Sequence, residues 1–218
     1  MILPLAPCPP ERGGYEVLCL GAHSDDLEIG CAGTMLRLLR ELPVERVNWV
    51  VLSGDPDRAR EARRGARRVL GRHPGATVRQ ATFRDGFFPH DPAPIKEYFE
   101  ELKREVRPDL IFTHYRHDRH QDHRLVSELT YNTFRDHLIF EYEIMKIDGD
   151  LGNPNVYVPL DRATVDRKVR LLADCFGTQR DKRWFSEDAF RALLRIRGIE
   201  AGSPSGYAEA LYARKIVI

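Results

Sequence analysis

The chain has 218 residues, with 34 lysines and arginines against 33 aspartates and glutamates, so its formal net charge is +1. This length is typical of one large α/β domain, and the balanced charge excludes a global field that would favour nucleic acid or a membrane surface. We therefore expect one domain over residues 1–218, in which 1–14 form an N-terminal extension and about 145–218 supply a site-lining loop and C-terminal helices.

The N-terminal segment and the cysteines indicate a cytoplasmic protein. MILPLAPCPPERGG lacks the basic start and the continuous apolar core of a signal peptide, and nowhere do about 18 apolar residues run together. The four cysteines show no CxxC spacing, which favours reduced thiols. They are Cys8, Cys19, Cys31 and Cys175.

From Tyr15 onward, short runs rich in Val, Ile, Leu and Phe alternate with longer segments of helical period. This alternation predicts βαβ units and hence an α/β, Rossmann-like layered fold, in which helices flank a mostly parallel central sheet. The predicted strands are 15–22, 47–54, 77–83 and 109–114, with a fifth at 137–144.

Helices are predicted between and after these strands, over 33–42, 57–71, 163–175 and 186–197. The segment GDLGNPNVYVPLD, residues 149–161, is marked by Gly, Pro and Asn and predicts a loop that lines a site. The helix at 57–71 carries six arginines without interleaved aromatic residues, which favours a solvated helix face over a nucleic-acid surface.

Two segments concentrate histidines and carboxylates at predicted strand ends. GAHSDDLEIGCAGT (21–34) follows the first strand, and THYRHDRHQDHR (113–124) begins where the fourth strand ends and holds four of the eight histidines. In open α/β sheets, sites form beyond the carboxyl ends of the strands. We therefore expect the two segments to form one site.

The spacing within these segments predicts a metal site. His23 and Asp26 are three residues apart, so one turn brings both side chains to the same side. His123 is the natural third ligand, because it lies at the start of a predicted helix after the fourth strand. Two histidines and one carboxylate leave coordination positions open, as catalytic sites require. We interpret His114 and His117 as hydrogen-bonding loop residues.

The motifs AHSDDLEIGCAGT and DRHQDHR resemble the paired AHPDD and DxHxDH signatures of the PIG-L/LmbE-like family of zinc-dependent N-acetyl-sugar deacetylases. GYAEAL (206–211) and KVRLLADCFGTQ (168–179) extend the resemblance over most of the chain. The chain departs from the family pattern at four positions, of which the last two affect an expected substrate contact and none affects the metal. They are Ser24 for Pro, Ala32 for Gly, Phe176 for His and Thr178 for Ser.

The resemblance implies a zinc ion held by His23, Asp26 and His123, with Asp25 as the general base that takes a proton from a metal-activated water. His120 lies three residues before His123 and hence on the same face of the turn, so we expect it to donate to the oxyanion and to protonate the leaving amine.

The remaining acidic residues of the two motifs are expected to support this site. Asp122 is expected to orient His120, with a charge at a helix N-terminus as the alternative, and Asp118 to serve a structural or supporting role. Glu28 is expected to contact a substrate hydroxyl, with helix capping as the alternative.

These observations predict a metal-dependent N-deacetylase that acts on a small molecule, namely an N-acetylated amino sugar such as N-acetylglucosamine or its conjugate. Zn²⁺ is the expected metal, with Fe²⁺ or another divalent ion as the alternative. No nucleic-acid partner and no membrane span are expected, and a homo-oligomer is left open.

Two alternatives belong to other functional classes. A non-haem iron enzyme uses the same two histidines and one carboxylate, although the extra Asp25 favours hydrolysis. A nucleotide or nucleic-acid binding module would use the sheet and the arginine-rich helix, but the chain lacks GxGxxG and a P-loop.

Overall fold

A computed structural model describes residues 10, 11 and 13–217. Within these residues one sheet contains seven strands. Numbered along the chain, the strands lie side by side in the order third, second, first, fourth, fifth, seventh, sixth. The first five pair in parallel, and the seventh is antiparallel to both of its neighbours. The strands are β1 (Tyr15–Gly21), β2 (Val44–Ser53), β3 (Ala76–Phe83), β4 (Leu110–His114), β5 (Leu138–Tyr142), β6 (Val156–Pro159) and β7 (Ala208–Ala213).

Six α-helices cover the two faces of this sheet in the described part of the chain, and none of them is both long and apolar enough to cross a bilayer. The predicted α/β fold with a mostly parallel, helix-flanked sheet is therefore confirmed. The helices are α1 (Asp26–Glu41), α2 (Pro56–Leu70), α3 (Pro92–Glu105), α4 (Gln121–Thr133), α5 (Arg162–Cys175) and α6 (Glu187–Glu200).

Side chains of β1 alternate between two apolar cores, as expected for a strand buried on both faces. Val17 and Cys19 pack with α1, α2, α5 and α6, whereas Leu18 and Leu20 pack with α3 and α4. The sheet is therefore the middle of three layers. Cys19, Cys31 and Cys175 are free and buried, and Cys8 lies outside the described residues.

The five predicted strands lie within a few residues of β1 to β5, but three other elements were missed. α3 was not predicted, β6 occupies part of the predicted loop at 149–161, and β7 reads AEALYA, whose alanines have a low strand propensity. α1 also begins at Asp26, earlier than the predicted 33–42, because polar residues and glycines interrupt the apolar period of its first turns.

Candidate metal and catalytic site

The site lies where β1 and β4 end side by side. The two strands pair in parallel, with Val17 opposite Leu110 and Cys19 opposite Phe112, so their carboxyl ends meet at one edge. His23 follows β1, and the loop after β4 leads to His123 in the first turn of α4. Two segments separated by about ninety residues thus meet, as the strand-end rule predicts.

Three buried donor groups converge on one point at this edge. His23 Nδ1 lies 3.0 Å from His123 Nε2, and Asp26 Oδ2 and Oδ1 lie 3.3 Å and 3.4 Å from these two nitrogens, respectively. Zinc bonds of about 2.0–2.2 Å in a tetrahedral site separate neighbouring ligand atoms by about 3.3 Å. The three donors predicted to bind metal therefore have the spacing that a small divalent cation requires.

The opposite nitrogen of each imidazole faces a carboxylate. His23 Nε2 lies 3.2 Å from Asp122 Oδ2, and His123 Nδ1 lies 2.9 Å from Asp118 Oδ2. If each neutral ring donates its proton to its carboxylate, His23 Nδ1 and His123 Nε2 both carry lone pairs. These lone pairs repel each other at 3.0 Å unless a cation or a proton lies between them. The residues present therefore fit a metal ion.

The charges around these rings favour a bound positive charge. Although burial opposes protonation, Asp26 and Asp122 raise the pKa of His23 well above its ordinary value. Burial likewise opposes protonation of His123, whose pKa Asp26 and Asp118 nevertheless raise. A divalent cation held between the two rings would take the place of these protons.

His114 stands behind the donor set rather than in a loop, since it is the last residue of β4. Its Nε2 accepts a hydrogen bond from Ala22 N–H at 3.0 Å and lies 3.1 Å from Asp26 Oδ2. Burial and the neighbouring His123 lower its pKa to about 4, which favours a neutral ring. The hydrogen-bonding role expected for His114 agrees with this geometry. A ring nitrogen of His114 also lies within 4.8 Å of possible metal-ligand atoms of Asp26 and His123, so these three residues form a second group that could hold a metal ion.

Asp25 is buried beside the donor set. It is the N-cap residue of α1, yet its side chain caps no backbone N–H. Burial and Asp26 raise its pKa, whereas Arg58, with Nη2 3.4 Å from Asp25 Oδ1, lowers it. A carboxylate with raised proton affinity that is not occupied by capping is suited to accept a proton.

His120 lies at the N-cap of α4, with its ring centroid 4.7 Å from that of His23 and 4.5 Å from that of His123. Its Nδ1 accepts a hydrogen bond from Asp122 N–H at 3.3 Å, which places the proton on Nε2. Burial and His123 lower its pKa to about 4, so the ring is mostly neutral near pH 7 and can serve as a hydrogen-bond donor. A ring nitrogen of His120 also lies within 4.8 Å of ring nitrogens of His23 and His123, so these three histidines could together hold a metal ion.

The prediction that the Asp122 side chain orients His120 is wrong, whereas the alternative position in the first turn of a helix agrees with the structure. Its carboxylate contacts His23 instead of His120, and it also accepts hydrogen bonds from Gly86 N–H at 2.6 Å and Phe88 N–H at 3.1 Å. The first turn of α4 directs this side chain toward the loop that follows β3. Only the backbone N–H of Asp122 reaches His120.

The substrate contact expected for Glu28 is also not supported, because the side chain is fully buried between α1 and α2. A Cβ added at Gly65 would lie 2.3 Å from Glu28 Oε1 and 2.7 Å from Phe176 Cζ. Burial raises the pKa of Glu28 well above its ordinary value. The alternative of helix capping is not supported either. Asp25 as the N-cap residue puts Glu28 at the third helical position, from which a capping side chain would reach the Asp25 N–H, but neither carboxylate oxygen of Glu28 has a hydrogen-bond partner among the described residues.

Phe176 and Thr178, which replace the His and the Ser of the family pattern, both have partners in the structure. Phe176 packs near Gly65 beside Glu28. Thr178 donates from its Oγ1 and its backbone N–H to the two carboxylate oxygens of Glu61, at 2.6 Å and 2.9 Å.

Two residues near the site were missed by the sequence analysis. Arg58 was assigned to a solvated helix face, but its side chain is only 17% exposed, and it donates to Ser24 Oγ at 3.2 Å and pairs with Asp85. Asp85 follows β3 and lies 3.1 Å from His23 Nε2. A hydrogen bond from His23 lowers the Asp85 pKa to about 2. The other five arginines of α2 are exposed, as predicted.

Residues 18–134 match the profile of the PIG-L family, described as GlcNAc-PI de-N-acetylase. Among solved structures, the conserved protein TT1542 from Thermus thermophilus is 22% identical over 94% of this chain and 96% of its own, with a TM-score of 0.74.

Two further structures are similar over 94% of this chain. The hydratase GalB from Pseudomonas putida is 18% identical over 98% of its length, with a TM-score of 0.71. N,N'-diacetylchitobiose deacetylase from Pyrococcus horikoshii is 20% identical over 85% of its length, with a TM-score of 0.66. Such identities establish a shared fold, which hosts more than one reaction. The family profile covers more than half of the chain and confirms the resemblance of its two motifs: the chain belongs to the PIG-L family of de-N-acetylases.

Proposed function

We propose that this protein is a cytoplasmic, zinc-dependent hydrolase that removes the N-acetyl group from an amino sugar or an amino-sugar conjugate. The observation that carries the proposal is the 3.0 Å approach of His23 Nδ1 to His123 Nε2 beside Asp26, with the buried Asp25 next to them. Membership of the PIG-L family supports the N-deacetylase class, and one structural neighbour is a diacetylchitobiose deacetylase.

His23, Asp26 and His123 would hold the metal. When bound, a zinc ion at such a site supplies an activated water and polarises the amide carbonyl. Two nitrogen donors and one carboxylate also suit Fe²⁺, so the donor set leaves the metal to be measured.

Asp25 would take the proton from the attacking water. Its burial and the neighbouring Asp26 raise its pKa, while Arg58 limits that rise, which suits a carboxylate that takes up a proton and passes it on. The proton then passes to the leaving amine. The sequence pattern assigns this transfer to His120, but a ring whose pKa is lowered to about 4 is mostly unprotonated near pH 7, so Asp25, which holds the proton from the water, would make the transfer.

His120 would stabilise the charge that develops on the carbonyl oxygen. With Nδ1 engaged by Asp122 N–H, its Nε2–H remains available as a donor, and the half-buried ring lies beside both metal-binding histidines. A donor placed in advance at a developing oxyanion acts mainly in the transition state.

The mouth of the site would bind the sugar. Asp85 is 44% exposed while it contacts His23, so its carboxylate can accept hydrogen bonds from sugar hydroxyls, and Arg58 lies next to it. The segment 149–161, expected from the sequence to line the site, would supply the remaining contacts.

The test is a screen of N-acetylated amino sugars and conjugates, scored by released amine, with metal-free, zinc-loaded and iron-loaded protein. We expect amine release from at least one N-acetyl sugar by the zinc-loaded protein and none by the metal-free protein. An absence of amine release with every sugar and both metals would contradict the proposal. Turnover only with iron and oxygen would favour the non-haem iron alternative.

A further inference from the structure

Lys146 is a buried cation in the segment between β5 and β6. Its side chain is 8% exposed, and its Nζ lies 3.0 Å from Asp118 Oδ2 and 2.5 Å from Asp150 Oδ2. Asp118 Oδ2 is the same oxygen that faces His123 Nδ1 at 2.9 Å. One carboxylate oxygen therefore connects a lysine of a distant segment to a metal-binding histidine.

The carboxylate of Asp118 is held at both oxygens. Oδ1 accepts a hydrogen bond from His120 N–H at 2.7 Å, and Oδ2 is shared by His123 and Lys146. A buried carboxylate requires such partners, because its desolvation is otherwise costly. Lys146 is the contribution that comes from outside the loop and helix that carry His123.

Lys146 is itself fixed in place. Asp150 Oδ2 accepts from Lys146 Nζ and also from Arg119 N–H at 2.7 Å. The lysine is thus tied to the residue that directly follows Asp118, which leaves its ammonium group little freedom to move away from the carboxylate.

We propose that Lys146 is a positioning residue for the metal ligand His123, acting through Asp118, and that it thereby raises metal affinity. Carboxylates that hold the second nitrogen of a ligating histidine fix the orientation of the ring, and their loss typically costs about 10- to 100-fold in metal affinity. The proposal rests on the metal site of the proposed function but not on the reaction carried out there.

The sign of the effect separates positioning from charge. Removing a cation near a divalent metal would by itself tighten metal binding, because like charges repel. Loss of the orientation of Asp118 would instead weaken it. A positioning role therefore predicts weaker binding when Lys146 is replaced by an uncharged residue.

The experiment measures zinc affinity by chelator competition, without substrate, in the wild type, Lys146→Met and Lys146→Arg. We expect Lys146→Met to weaken zinc binding about 10-fold, and Lys146→Arg to recover most of the affinity because arginine also donates to carboxylates. Lys96→Met is the matched control, since Lys96 pairs with Glu100 on α3, and it should leave the affinity unchanged. Thermal unfolding of each metal-free protein checks the fold.

Unchanged or tighter zinc binding by Lys146→Met, or a failure of Lys146→Arg to restore it, would overturn the proposal. If Lys146→Met does not fold, Asp150→Asn decides, because it removes the anchor of Lys146 and leaves Asp118 intact. Weaker zinc binding by that variant supports the proposal, and wild-type binding overturns it. A protein that shows this dependence but releases no amine would refute only the proposed reaction, whereas a wild type without zinc affinity would overturn both.

Discussion

Lys168 Nζ lies 2.5 Å from Glu209 Oε1, and both side chains are only 3% exposed. The pair is built into α1: Glu209 accepts from Gly33 N–H at 2.8 Å, and Lys168 donates to Ile29 O at 2.5 Å. Gly33 N–H and Ile29 O are the groups that bond each other in a regular helix. The ion pair thus gives charged partners to both, and it joins α5 and β7 to the helix that begins at the metal site.

Lys168→Met should therefore destabilise the protein strongly. It leaves the carboxylate of Glu209 buried without its cation, which typically costs about 3–5 kcal/mol. The free energy of unfolding in urea is the measurement. The half-exposed pair of Arg191 and Asp166 is the control, since Arg191→Ala should cost at most about 1 kcal/mol. A Lys168→Met protein as stable as that control would contradict the interpretation.

Gly65→Ala should also destabilise the fold, because the added Cβ would lie 2.3 Å from Glu28 Oε1 and 2.7 Å from Phe176 Cζ. Overpacking of this kind costs about 1–3 kcal/mol. Gly177→Ala is the matched control, since the nearest atom to its Cβ is 3.6 Å away. Equal melting temperatures for the two variants would show that α1 and α2 are packed more loosely than the structure indicates.

The adjacent carboxylates should fail in different ways. Asp25→Asn keeps the shape but cannot accept a proton, so we expect normal zinc content with kcat reduced by about 10²-fold or more. Asp26→Ala removes a metal donor, so zinc affinity itself should fall. Metal analysis and kinetics of both purified proteins check this. Wild-type turnover by Asp25→Asn, or tight zinc binding by Asp26→Ala, would reverse the roles.

Arg58 should set the acid limb of the pH profile. A base must be deprotonated to act, so kcat/KM falls as the pH drops through the pKa of Asp25, which burial raises and Arg58 lowers. Arg58→Met removes the lowering influence, so the acid limb should move to higher pH. Arg63→Met, at an exposed position of the same helix, is the control and should leave the profile unchanged. An unchanged or lower acid limb in Arg58→Met would contradict the assigned base.

The sequence was most informative where a local pattern decides the structure. The apolar runs before His23 and His114 predict the strand ends, and the three-residue spacing of His23 and Asp26 predicts their common side. The predictions that proved wrong concern side chains whose positions depend on contacts between distant segments. The burial of Glu28 depends on Gly65 and Phe176, which no local pattern connects to it.

The burial of Arg58 could have been predicted from its position on α2 relative to the small residues of that helix. Its side chain lies four and seven residues before Ala62 and Gly65, which places it on the buried side of α2, whereas the other arginines have the opposite helical phase. Asp85 likewise follows β3 at the same sheet edge as His23, and the strand-end rule applied to that strand would have included it. The direction of Asp122 depends on where α4 begins, which the sequence places only within a few residues.

The central claim is that His23, Asp26 and His123 hold a metal that the hydrolysis of an N-acetyl amide requires. The most direct measurement is amine release from an N-acetylated amino sugar by chelator-treated, verified metal-free protein, before and after addition of one equivalent of zinc. We predict no release before addition and restored release after it, because activation of water and stabilisation of the oxyanion both depend on the metal. Full activity of the metal-free protein would contradict the account.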